Sequence, residues 1–78
     1  MSIKEIQMIL NAINSRIIKG GKWLKLEHEN DYYYIRTYQG ESCLNTLLGG
    51  SKAKELLTEI RAFHRGLLAY KEFTQGEN

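Results

Sequence analysis

Apolar residues recur at helical spacing near the start of the chain: Ile3, Ile6, Ile9, Leu10, Ile13 and Ile17 share one third of a helical circle. Ser2 is placed to cap this segment, and Gly20-Gly21 closes it after about Lys19, so the pattern predicts an amphipathic helix. The period then changes to two. Leu24 and Leu26 alternate with Trp23, Lys25 and Glu27, which predicts a half-buried strand over residues 22–27. His28-Glu29-Asn30-Asp31 reads as a turn. Tyr32 to Tyr38 is a run of aromatic and β-branched residues, the plainest strand signal here, closed by Gln39-Gly40-Glu41. Ser42 to Leu48 fits a strand or a short helical turn; the strand is favoured because it completes an antiparallel meander. From Ser51 to Thr74 the helical period returns, with Ala53, Leu56, Leu57, Ile60, Phe63, Leu67 and Leu68 on one side. The tail, residues 75–78, is expected to fray.

These elements define an α+β chain of order α-β-β-β-α, with two helices packed on one face of a small antiparallel sheet. Residues 1–78 are read as a single small domain. Leu24, Leu26, Tyr33, Ile35, Leu44 and Leu48 are expected to face the helices. Trp23, Lys25, Tyr32, Tyr34, Arg36, Tyr38 and Leu47 are assigned to the other face, which nothing in the chain covers.

Length and composition add constraints. A 78-residue domain buries only about 60% of its unfolded surface, so support from self-association is expected, and a homo-oligomer is the reading. Hydrophobic residues at 42% and charged residues at 26% describe an ordinary folded domain. No proline interrupts either helix. The single cysteine, Cys43, has no internal partner for a disulfide, which favours a reducing, cytoplasmic setting. No apolar run approaches membrane-spanning length, so no membrane partner is expected.

Net charge is only +2, too small for general nucleic-acid affinity, so any anion site must be local. The last helix supplies one. Lys54, Thr58, Arg61 and Arg65 stack on one face, and none of the three bases has an acid three or four residues away. A solvated helix face carries such charges too, but exposed helices usually intersperse opposite signs. Upstream, Gly49-Gly50-Ser51-Lys52 predicts a flexible turn with Ser51 as N-cap, leaving backbone N–H groups near Ser51 for an anion. Lys52 differs from the other bases in having Glu55 three residues on. Two glycines framing four residues ahead of Lys-Ser/Thr are absent, so nucleotide hydrolysis is not read here. Together Ser51, Lys52, Lys54, Arg61 and Arg65 form an expected phosphate site, and Trp23, Tyr34 and Arg36 an expected platform for base stacking. The same Trp, Tyr and Arg content also marks protein interfaces.

The element order and the segment Gly49-Gly50-Ser51-Lys52-Ala53-Lys54 resemble the entry to the final helix of double-stranded-RNA-binding domains. The resemblance covers six residues and topology; Ala53 breaks the family's paired lysines, and its β1–β2 loop signature has no match.

Ala62, Gly66, Ala69 and Phe73 form a further side of the last helix, with small residues that suit a helix–helix contact. His64 sits between Ile60 and Leu68 as a boundary histidine, and His28 by the acidic turn as a solvated one. Two histidines and one cysteine on three elements match no zinc spacing, and Tyr32 stands where a calcium loop needs glycine, so neither metal nor cofactor is expected. No nucleophile, base and orienting acid share a motif, which favours a non-enzymatic protein. The leading reading is a self-associating protein that holds a phosphate-containing ligand, a nucleotide or nucleic acid. The alternative is a module that docks on a protein partner through its aromatic sheet face, such as an inhibitor or adaptor of phage or plasmid type, and a purely structural subunit is a third.

Overall fold

Both sheet turns are as short as a hairpin allows, and each places one residue in left-handed backbone. Asn30-Asp31 and Gly40-Glu41 link the strands, with φ of 56° at Asn30 and 59° at Gly40, the geometry for which Asn and Gly are the usual residues. The computed structural model describes residues 2–16 and 20–75. Its elements are α1 (Ser2–Arg16), β1 (Lys22–Glu29), β2 (Tyr32–Gln39), β3 (Ser42–Ser51) and α2 (Ala53–Gln75). The strands form one open antiparallel sheet in the order β1-β2-β3, so the α+β, α-β-β-β-α expectation holds. The end assigned to the first helix at residues 17–19, including Ile17 and Ile18, and the tail at 76–78 lie outside the described residues.

The helical stripes do the burying. Ile6, Leu10 and Ile13 of α1 meet Leu24, Ile35 and the α2 residues Leu56, Leu57 and Ile60 in a core from which water is excluded. Each such side chain contributes about 1.5–3 kcal/mol on burial. α1 lies over β1, α2 lies over β2 and β3, and the helices pack on each other. One further contact fixes α1 on the sheet. The Asn14 carboxamide accepts from Leu24 N–H at 2.7 Å and donates to Leu24 C=O at 2.9 Å.

β3 departs from simple alternation. Ile35 stands opposite Leu48 and Arg36 opposite Thr46, which leaves Leu47 as an extra residue; likewise Thr37 faces Asn45 and Tyr38 faces Cys43, leaving Leu44 over. Each shift is a bulge that resets which side chains point inward. Leu47, assigned to the outer face, therefore packs against the core, whereas Leu44, assigned to the core, is half exposed. A third shift falls at Gly50, between the pairs Tyr34–Gly49 and Tyr33–Ser51.

Candidate functional site

The outer sheet face is organised by Arg36. Register places Lys25 directly opposite Arg36, two like charges that repel across the strands. Two carboxylates resolve this. Arg36 Nη1 donates to Glu27 Oε1 and Glu29 Oε2, and Nη2 donates to Glu29 Oε1, all at 3.2 Å. Its Nε donates to Thr46 Oγ1 of β3 at 3.0 Å, and the guanidinium lies 4.6 Å from the centre of the Tyr34 ring. One side chain, only 18% exposed, thus knits all three strands. Lys25 Nζ approaches Glu27 Oε2 at 4.0 Å and the Tyr38 ring centre at 5.4 Å.

The aromatic residues are held by their polar ends. Tyr38 O–H donates to Glu27 Oε1 at 2.9 Å, and the Trp23 indole N–H donates to Gly40 C=O at 2.8 Å. Their rings lie 5.2 Å apart in a tilted pair. The Tyr38 hydrogen bond, helped by Arg36, holds the Glu27 carboxyl below its ordinary value against the opposing effect of burial. The same bond pushes the Tyr38 phenol up, because ionisation would place two anions together. Arg36 is driven further above its already high value by Glu29 and Glu27. Trp23, Tyr34 and Arg36 are therefore brought together as expected, but the positive charge of Arg36 is already answered within the sheet.

The entry to α2 differs from the sequence reading. β3 runs on to Ser51, so Lys52 rather than Ser51 is the capping residue of the helix, and Leu56 N–H donates to Lys52 C=O at 2.9 Å. Glu55 folds back to accept from Lys52 N–H at 3.3 Å, the carboxylate half of a capping box. The Ser51 hydroxyl donates to Glu59 Oε1 at 2.8 Å. Two carboxylates thus occupy the place assigned to an anion. The Lys52 ammonium reaches over the Tyr32 ring, 4.9 Å from its centre, instead of pairing with Glu55.

The basic row is divided as well. Arg61 Nη2 bonds Glu5 Oε2 of α1 at 2.6 Å, a counter-ion 56 positions away that no local spacing could reveal. Lys54 and Arg65 are exposed and make no ion pair among the described residues. His28 is exposed, as expected, and stacks on Tyr33 with ring centres 4.2 Å apart. Asn14 was not singled out by the sequence; its one signal is a polar side chain four residues after Leu10, on the buried side of α1.

Fold and site define a small α+β domain with an open, aromatic, internally neutralised sheet face. Comparisons with protein-family models, curated proteins and solved structures find no match to this chain. No described helix is long and apolar enough to cross a membrane.

Proposed function

We propose that this chain is a non-catalytic protein-interaction module that docks through the outer face of its sheet, with Trp23, Tyr34, Arg36 and Tyr38 as anchors. The observation that carries this reading is the fixation of Arg36 by Glu27, Glu29 and Thr46. Side chains already held in place lose little freedom on binding, and Trp, Tyr and Arg dominate interface energetics. Lys25 and Arg36 balance Glu27 and Glu29 on this face, which favours a partner surface without strong net charge. The exposed, unpaired Cys43 on the same sheet accords with a reducing, cytoplasmic setting.

A second reading rests on Lys54 and Arg65, whose charges lack partners among the described residues and which could hold a phosphate-bearing ligand. Two experiments separate the readings. A photoreactive residue at position 34 should crosslink a protein partner in a cell extract, and Trp23→Ala should abolish that adduct while Lys54→Glu with Arg65→Glu leaves it. Labelled RNA, DNA and nucleotides should show no saturable binding at low salt. The docking reading fails if binding to one of these is found and is lost only in the charge-reversed variant.

A further inference from the structure

β1 has a free edge, and its open backbone groups can be located. Leu24 bonds the Asn14 carboxamide with both its N–H and its C=O, so it points away from β2. Antiparallel ladders alternate in this respect, so Lys22, Leu26 and His28 turn their backbone groups to the same open side. The Asn14 amide, donating one N–H and accepting at its oxygen, occupies at Leu24 the two bonds that an added strand would make. The β1–β2 register runs without a shift from Lys22 to Glu29, which leaves the edge straight enough to template another strand.

The strand that fits this edge is β1 of a second copy. When two β1 strands run antiparallel about Leu26, Leu26 faces Leu26 on the helix side, and Leu24 faces His28. On the outer side Lys25 faces Glu27, twice by symmetry, and Trp23 faces Glu29. Opposite charges are therefore paired by the strand's own sequence. The flanking Leu24–His28 pairs form only if Asn14 releases Leu24.

We propose that Asn14 is a lock on the β1 edge, and that its release lets two copies join through β1 into one six-stranded sheet centred on Leu26. The joined sheet would carry two copies of the Arg36 face side by side.

The test is the molar mass of wild type and Asn14→Ala by light scattering across a concentration series, with circular dichroism to confirm folding. Asn14→Ala should self-associate at least about tenfold more tightly, since it frees the Leu24 N–H and C=O to bond a second copy. Adding Lys25→Glu sets like charges opposite each other and should return the variant to the wild-type mass profile. A folded Asn14→Ala with the wild-type mass profile overturns the proposal, as does a dimer indifferent to Lys25→Glu. Amide exchange on wild type, at the lowest concentration of the series, is an independent check. Leu24 N–H should be protected while Leu26 and His28 N–H exchange freely, and equal exchange at all three would mean that no lock exists.

Discussion

At the residue scale, two glycines show how differently one residue type is used. Gly49 has φ of +153°, and a Cβ there would lie 2.5 Å from Tyr34 Cδ1 and 2.9 Å from Tyr34 Cα. The Tyr34 ring could swing aside, but the backbone carbon cannot. Gly49 is thus what allows β3 to pass close under Tyr34 on the outer face. Gly66 lies in α2, where an added Cβ would meet nothing within 4 Å, and there glycine only weakens the helix. Gly49→Ala should therefore cost about 1–3 kcal/mol. Gly66→Ala should gain about 1 kcal/mol, or roughly 4–8 °C in Tm for a domain of this size. Thermal melts of the two variants check both signs. A loss of stability in Gly66→Ala would instead indicate that the Ala62–Phe73 side packs closely on a partner.

At the scale of elements, the Arg61–Glu5 pair joins α2 to α1 at the surface, with 55% and 44% of the two side chains exposed. Solvent screens such pairs, and they typically contribute ~0–1 kcal/mol. Arg61→Ala should shift the urea midpoint only slightly and should leave the slope unchanged. A large shift would show that the contact organises the helix pair. This pair also marks the limit of what could be read in advance. The helices and strands were legible because apolar spacing changes from helical to alternating at Gly20-Gly21 and back near Ser51. The Arg36 platform was legible in part, because strand parity alone gathers Trp23, Tyr34, Arg36 and Tyr38. What escaped depends on tertiary approach. Glu5 reaches Arg61 only once the helices pack, Asn14 reaches Leu24 only once α1 lies on β1, and the bulges of β3 move Leu44 and Leu47 against simple alternation.

At the scale of the whole molecule, the Glu27–Arg36–Tyr38 network spans the sheet and sets a pH dependence with two limbs. Glu27 has a folded pKa below its ordinary value of 4.5, so its contribution is present above 4.5 and is lost as pH falls through the folded value. Tyr38 has a folded pKa above its ordinary value of 10.0, so its contribution is present below 10.0 and is lost as pH rises through the folded value. Denaturation midpoints should form a plateau between these limits. Because each group is the main cause of the other's shift, Glu27→Gln should flatten both limbs, and Tyr38→Phe should remove the alkaline limb and shrink the acid one; unchanged limbs in both variants would mean that other groups set them.

The two borders of the sheet are unlike, and this has a consequence for crowding. β3 is stepped by its three register shifts and makes a poor template, whereas β1 is even and is closed at Leu24 by a single amide. A body with one adhesive side can form pairs but cannot grow into a fibre. Should Asn14 be lost by mutation or deamidation, assembly through β1 is expected to halt at two molecules.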